Sequence, residues 1–165
     1  MSEQQPTENG INGAQPIQPG PLVLNLQYTK DLSFEVPGAP DIFLNLQEQP
    51  RLDVQLDVNA RRLQDNQPVY EVALQVRTDA KLADGRTAFI AELTYCGIFT
   101  VSMAQDMLEP VLLVECPRLL FPFARNILAE VSRDGGFPPV LLNPIDFVAL
   151  WQSRRAQGVP PVANA

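Results

Sequence analysis

The chain has 165 residues, a net charge of −7 and no histidine, and its length fits one domain with a modest core. The acidic balance argues against a nucleic-acid partner, because phosphate binding requires a basic face, and it favours a partner that carries a basic patch. The lack of histidine excludes Ser-His and Cys-His nucleophile pairs and removes the most common metal ligand. Two cysteines, Cys96 and Cys116, are too few for a zinc site or a disulfide framework and are typical of buried thiols in a reducing compartment.

The two ends of the chain are predicted to be disordered tails. Residues 1–21 combine prolines, glycines and polar residues with almost nothing apolar to bury, and they lack the basic and apolar regions of a signal peptide. Residues 158–165 are predicted to form a second disordered tail. No apolar run reaches the roughly 20 residues of a membrane span, so the prediction is a soluble, cytoplasmic protein with one domain over 22–157.

The first predicted strand begins at Leu24 and shows a period of two between apolar and polar residues. The residues predicted to face the core are Leu24, Leu26, Tyr28, Leu32, Phe34 and Val36. Asp31 and Glu35 fall on the opposite face, and the breaker Pro37-Gly38-Ala39-Pro40 ends the strand.

Three further strands are predicted from the same alternation, and Asp84-Gly85 indicates a hairpin turn between the last two. The fourth strand places Phe89 inward, whereas Ile90 points outward beside Glu92. An apolar residue on an acidic sheet face indicates either a docking surface for another protein or a subunit contact. The pattern alone leaves both interpretations open.

Three helices are predicted after the strands, and the first two are consecutive. Ser102 and Gln105 are spaced as a capping box that opens a short helix, which we expect to kink or break at Pro110. The second helix has one apolar face over 120–131. Gly135-Gly136 supplies the positive φ that ends such a helix.

An extended apolar strap is predicted over 137–142, because its two prolines fix φ and remove hydrogen-bond donors. Asn143 is the predicted N-cap of a last helix that starts at Pro144 and runs to about Ala156. An apolar strap between two amphipathic helices is typical of either a groove wall or an ordinary core, and both readings stay open at this point.

Four strands followed by helices predict an α+β fold, a four-stranded antiparallel sheet with helices packed on one face. The sequence contains no glycine-rich phosphate loop, nucleophile elbow or metal-spaced cluster. Its paired carboxylates, Asp31/Glu35 and Asp53/Asp57, lie on a face predicted to be solvated, whereas an acid catalyst needs a closed apolar environment. The prediction is therefore a protein that is not an enzyme and that uses no metal or cofactor.

Three separated stretches of the sequence resemble the SecB family of bacterial protein-export chaperones. They are YTKDLSFEVPGAP at 28–40, AFIAELTYCGIF at 88–99, and CPRLLFPFAR with GGFPPVLLNPIDFVALW within 116–151. The resemblance implies a dimer of dimers that holds unfolded preproteins in apolar grooves without ATP. It also implies delivery of these clients to the SecA translocation ATPase, bound largely through its basic, zinc-binding C-terminal tail.

The same resemblance implies two binding sites, formed by the residues of this sequence that match the family's motifs. The predicted SecA-binding residues, on the outer sheet face, are Asp31, Glu35, Ile90 and Glu92. The predicted aromatic wall of the client groove consists of Phe89, Phe123, Phe137 and Trp151. Many relatives carry a tryptophan in the loop after the first strand, but this chain has none there and its loop is one residue longer, so Leu44 and Leu46 are expected in its place.

Two other functions without catalysis remain possible at the level of sequence. One is a SecB-like chaperone of a toxin–antitoxin pair, which would share the groove without needing the ATPase. The other is a small-molecule carrier with an apolar pocket between sheet and helices. The joint presence of Asp31, Glu35, Ile90 and Glu92 favours export, and suppression of client aggregation without ATP would distinguish a chaperone from a carrier.

Overall fold

The computed structural model describes residues 19–158 and 162–163. The elements are β1 Leu22–Glu35, α1 Asp41–Leu44, β2 Arg51–Arg62, β3 Val69–Lys81, β4 Thr87–Val101, α2 Gln105–Pro110, α3 Cys116–Asp134, α4 Phe147–Ala156 and β5 Val162–Ala163. A π-helical segment, Val111–Glu115, joins α2 to α3. The predicted tails lie outside the described residues, apart from residues 19–21 at one end and residues 158, 162 and 163 at the other.

The sheet has the strand order β1-β4-β3-β2-β5. Strands β1 to β4 pair antiparallel, which confirms the predicted four-stranded sheet. The inward side chains of β3 and β4 form the core with the apolar face of α3, where Leu120, Ala124 and Leu128 are fully buried. Strand β5 adds a two-residue parallel pairing to β2, and a strand this short has no alternation from which a sequence could predict it.

Strand β1 does not alternate simply, because its register against β4 shifts between Leu24 and Leu26 and again between Thr29 and Asp31. Each shift adds a residue and reverses the face on which the following side chains lie. Leu26 is therefore 55% exposed, and Tyr28 reaches Glu71 on the outer face. The prediction that Leu26 and Tyr28 face the core is wrong, whereas the second shift restores the predicted outward position of Asp31.

Helices α2 and α3 form one continuous helical stretch with the π-helical segment between them. The expected irregularity at Pro110 takes this form, since the wider turn that follows accommodates the missing donor. The predicted capping box is wrong, because Ala104 is the N-cap residue and no side chain caps the helix. None of the helices in the described ranges is both long and apolar enough to cross a membrane.

The strap between α3 and α4 is extended, as predicted, and has no regular secondary structure. The hydroxyl of the buried Ser132 accepts a hydrogen bond from the Val140 amide at 2.9 Å, which anchors the strap to α3. Helix α4 starts later than predicted, because Asp146 rather than Asn143 caps it by accepting from the Ala149 amide at 3.0 Å. Pro144 consequently belongs to the extended strap.

Candidate functional site

The outer face of the sheet brings together the four residues predicted to bind SecA. Glu35 of β1 pairs with Ile90 of β4, and two residues along each strand Ser33 pairs with Glu92. Directly paired residues project from the same side of a sheet. Asp31, one pleat further, lies on this side as well, opposite Thr94.

Two further carboxylates extend this surface across the sheet. Asp79 of β3 pairs with Ile90, and Asp53 of β2 pairs with Asp79. The acidic face is therefore the set Asp31, Glu35, Asp53, Asp79, Ile90 and Glu92. Asp79 was not among the residues predicted from the sequence. The alternation of β3 does place it outward, because it is odd-numbered and the inward Val72, Leu74 and Val76 are even-numbered.

Arg77 lies within the acidic face, and Arg51 and Lys81 lie on the same side of the sheet, one row beyond Asp53 and Asp79. The Nε and Nη2 of Arg77 donate to the Asp79 carboxylate at 2.8 and 3.0 Å, and its Nη1 contacts the Glu92 carboxylate. The Arg77 and Glu92 side chains are 41% and 45% exposed, so solvent and a partner can reach both. The charge of Glu92 is thus already partly balanced within the chain.

The opposite end of the outer face is built around Glu71, whose side chain is only 4% exposed. Lys30 donates to Glu71 at 3.0 Å, and Tyr28 and Arg61 donate to it as well. Burial alone would raise the pKa of Glu71, but these three hydrogen bonds outweigh it and lower the pKa to about 2. Two cations surround one carboxylate here, so the outer face is acidic at one end and weakly basic at the other.

The inner side of the sheet carries a cluster of four phenylalanine rings. The aromatic cluster consists of Phe34 from β1, Phe43 from α1, Phe89 from β4 and Phe137 from the strap. Phe137 lies 4.8 Å from Phe89 and 5.2 Å from Phe43, measured between ring centroids, and Phe34 stacks on Phe89 at 5.1 Å. Four separate parts of the chain therefore meet at one apolar site.

Two glycines make room for these rings at the end of α3. A β-carbon on Gly135 would lie 2.1 Å from the Phe34 ring, which is far too close for a side chain there. Gly136 has φ of +90° and faces the Phe43 ring. The Gly-Gly pair, predicted only to end the helix, also allows the rings to approach the backbone.

The aromatic cluster is buried at its base and open at its rim. Phe89 and Phe137 are 1% and 4% exposed, whereas Phe43 and Leu44 are 40% and 82% exposed. A small cleft of about 60 Å³ beside Phe89 is lined by Gln49, Pro50, Leu52, Pro138, Pro139 and Val140. The loop after β1 and the strap therefore form two walls of an apolar depression.

The structure does not bring the other predicted groove residues into the aromatic cluster. Phe123 is 47% exposed on α3 and stacks on Tyr95 at 6.3 Å. Trp151 lies on α4, where its indole N–H donates to Glu109 at 2.7 Å and its ring faces the Arg155 guanidinium. Leu46 is half-buried against the core. Phe34 and Phe43 were not predicted as members of the cluster. The four rings come from separate parts of the chain, and no local sequence pattern indicates that they meet.

Comparison with known proteins identifies the family of this chain. A family model described as preprotein translocase subunit SecB matches residues 15–158. A protein-export protein SecB of Granulibacter bethesdensis is 57% identical over 163 residues, 95% of each chain. The protein of the same name from Acidiphilium cryptum is 59% identical over 153 residues, 85% of this chain and 92% of that one.

Among solved structures, the chain resembles a SecB-like chaperone of Mycobacterium tuberculosis in complex with a ChAD peptide from the HigA1 antitoxin. The TM-score is 0.63 at 11% identity, over 76% of this chain and 91% of that chain. At such low identity the likeness supports the fold alone. The family match and the two export proteins cover nearly the whole sequence, and SecB proteins are chaperones rather than enzymes, as predicted. The chain belongs to the SecB family of preprotein translocase subunits and is a chaperone of protein export.

Proposed function

We propose that this chaperone holds unfolded preproteins at the aromatic cluster, without ATP, and delivers them in the cytoplasm to SecA docked on the acidic face. The observation that carries the proposal is the back-to-back arrangement of the two surfaces. Phe34 and Phe89 point into the aromatic cluster, and the next residues, Glu35 and Ile90, point out onto the acidic face. The same two strands thus serve both surfaces.

The aromatic cluster suits the binding of unfolded chains of varied sequence. Apolar burial contributes roughly 25 cal/mol per Å² whichever apolar side chain supplies the area, and aromatic rings add large, rigid contact surfaces. Phe43 and Leu44 form an exposed apolar rim, and Leu141 of the strap is exposed as well, so an extended client segment can make contact before any ring moves. Binding energy of this kind requires no nucleotide hydrolysis.

A second client patch is proposed around Trp151. Its hydrogen bond to Glu109 holds α4 beside α2, and the apolar residues Met107 and Val148 of these two helices are 51% and 37% exposed. A long unfolded segment could contact both the aromatic cluster and this patch. Since Trp151 is the only tryptophan, client binding there is expected to shift its fluorescence emission.

The acidic face suits a basic partner such as the SecA tail. Its carboxylates come from four neighbouring strands, and Ile90 adds an apolar contact among them. Complementary charge raises the association rate and orients the partner more than it sets final affinity. The basic character of the Glu71 end favours docking of a basic tail at the Glu35 end.

The proposed assembly is a dimer of dimers. Strand β2 has its edge covered, since Arg154 of α4 donates to the Val58 carbonyl at 3.1 Å and β5 pairs beyond it. Strand β1 is the other edge of the sheet in the described part of the chain. An uncovered edge favours pairing with a second copy, and the exposed Leu119 and Phe123 of α3 favour a second contact between copies.

The client site is tested with Phe43→Ser and Leu44→Ser in one chain. Both side chains are exposed enough that their loss should leave the fold intact, and removal of the apolar rim should weaken the suppression of aggregation of a denatured preprotein several-fold. Met107→Ser tests the second client patch separately. The matched control is Ser replacement of Val23, a half-buried apolar residue of β1 outside both patches. Unchanged suppression by both test variants would refute the proposed client sites.

The docking site is tested by titration with the zinc-loaded C-terminal tail peptide of SecA. Glu92→Lys should weaken binding by about tenfold or more, because it removes an attraction and adds repulsion, and Asp31→Asn with Glu35→Gln should weaken it less. Asp84→Lys, on the exposed turn between β3 and β4, changes the net charge by the same two units and is the control for net charge. If the charge changes abolish client holding while tail affinity stays unchanged, the two faces have been assigned the wrong way round.

A further inference from the structure

One positive charge of the chain itself, that of Arg77, lies within the acidic face. A bound basic partner would place one of its positive charges at the same position. Arg77 lies directly opposite Glu92 across β3 and β4, and its neighbour on the other side is Gln55 of β2. The adjacent row of the sheet carries three carboxylates: Asp79, two residues along β3, Glu35 on β1 and Asp53 on β2. The guanidinium thus lies within the surface that is proposed to receive a basic tail.

The contacts of Arg77 engage the planar fork of its guanidinium. Nε and Nη2 bond the two oxygens of Asp79, and Nη1 turns to Glu92. Bidentate pairing of this kind fixes the orientation of the guanidinium, so Asp79 holds Arg77 in position and Nη1 occupies Glu92. Since both Arg77 and Glu92 are more than a third exposed, the contact with Glu92 is screened by solvent and can be exchanged.

We propose that Arg77 is an internal competitor for Glu92, which gives the acidic face a selectivity for partners that carry several positive charges. This inference rests on the proposed docking of a basic tail. A ligand with one or two cations meets both the occupied carboxylate and the repulsion of Arg77. A segment with many cations binds Asp31, Glu35 and Asp53 at the same time, and its high effective concentration then allows one of its cations to replace Arg77 at Glu92.

The test compares Arg77→Gln with Arg86→Gln. Arg86 forms a similar exposed ion pair, with Asp84 at 2.7 Å, so both variants change the net charge equally but only Arg77→Gln releases carboxylates of the acidic face. Two probes are titrated by fluorescence anisotropy: a labelled peptide with two lysines and the labelled SecA tail peptide. Arg77→Gln should bind the two-lysine peptide several-fold tighter than the wild type does, should tighten the tail less, and should steepen the salt dependence of both.

The outcomes separate this inference from the proposed function. If the tail binds the wild type but Arg77→Gln gains no more affinity for the two-lysine peptide than Arg86→Gln does, Arg77 is not a competitor. Weaker binding by Arg77→Gln would mean that Arg77 positions Glu92 for the partner, which also overturns the inference. If the wild-type protein fails to bind the tail at all, the docking site itself is wrong and this inference falls with it.

Discussion

Glu71 is a carboxylate that its strand position alone would leave in solvent. Its parity in β3 points it outward, away from the core residues Tyr70 and Val72, yet its side chain is 4% exposed. The cause lies in another strand, because the register shift in β1 places Tyr28 on the outer face above it. A sequence predicts the face of a residue from its own strand but not the burial that a bulge in a neighbouring strand produces.

The lowered pKa of Glu71 predicts a loss of stability in acid. A carboxyl with a folded-state pKa of about 2 and an ordinary value of 4.5 contributes its stabilisation fully above about pH 4.5 and loses it as the pH falls towards 2. The contribution is on the order of 3 kcal/mol. Glu71→Gln should therefore be less stable than the wild type at pH 7, and urea unfolding should show this gap narrowing at pH 3.

The control for this pH dependence is Glu130→Gln, on the exposed face of α3. It should change the stability little at either pH, because an exposed carboxylate contributes little to folding. A gap between Glu71→Gln and the wild type that stays constant from pH 7 to pH 3 would show that the ionised carboxylate is not the source of the stabilisation.

At the scale of elements, alternation and helical periodicity correctly predicted the four long strands, the α3 helix and the extended strap. The errors lie inside β1, where two register shifts change the faces of Leu26 and Tyr28, and at the starts of α2 and α4. Both Asn143 and Asp146 are residue types that favour the N-cap of a helix. Because Asp146 is the N-cap of α4, Pro144 stays in the extended strap, whose Phe137 contacts Phe89 of the sheet. The position of the helix start depends on the packing of Phe137 against Phe89, a contact between residues far apart in the sequence, which a local pattern does not reveal.

The end of α3 gives a prediction that joins an element boundary to the client site. Gly135→Ala should destabilise the protein by roughly 1–3 kcal/mol, because the new methyl group would overlap the Phe34 ring and force it away from Phe89. Client holding should decrease together with stability. Chemical unfolding and an aggregation-suppression assay measure the two effects.

Gly38→Ala is the matched control for this substitution. Its new methyl group would meet Ile42 at 3.4 Å, which is an ordinary contact, and the position lies in the turn after β1 rather than beside a ring. If Gly135→Ala proves as stable and as active as Gly38→Ala, then the close packing of Phe34 on the glycine is not needed for the aromatic cluster.

At the scale of the whole molecule, the two proposed binding surfaces lie on opposite faces of one sheet. The helix-covered side bears the aromatic cluster and the outer side the acidic face. Alternation within one strand predicted which side Phe89, Ile90 and Glu92 face, whereas only the family resemblance implied a binding role for them. Phe123, a predicted residue of the client groove, lies outside the aromatic cluster. Its helical face is apolar like that of a groove residue, and only the packing of α3 against β4 shows that it stacks on Tyr95, apart from the other rings.

The placement of Phe123 leads to a prediction about assembly. Leu119 and Phe123 lie four residues apart on α3 and are 46% and 47% exposed, and such an apolar stripe on a helix favours contact with a second helix. Light scattering should report about four chains for the wild type if the proposed dimer of dimers forms. Replacing both residues with serine should halve this mass, because the uncovered edge of β1 still allows two copies to pair.

Met107→Ser, which removes an equally exposed apolar side chain from α2, should leave the mass unchanged. A wild-type monomer at micromolar concentration would refute the assembly altogether, and an unchanged mass in the double variant would place the contact elsewhere than on α3.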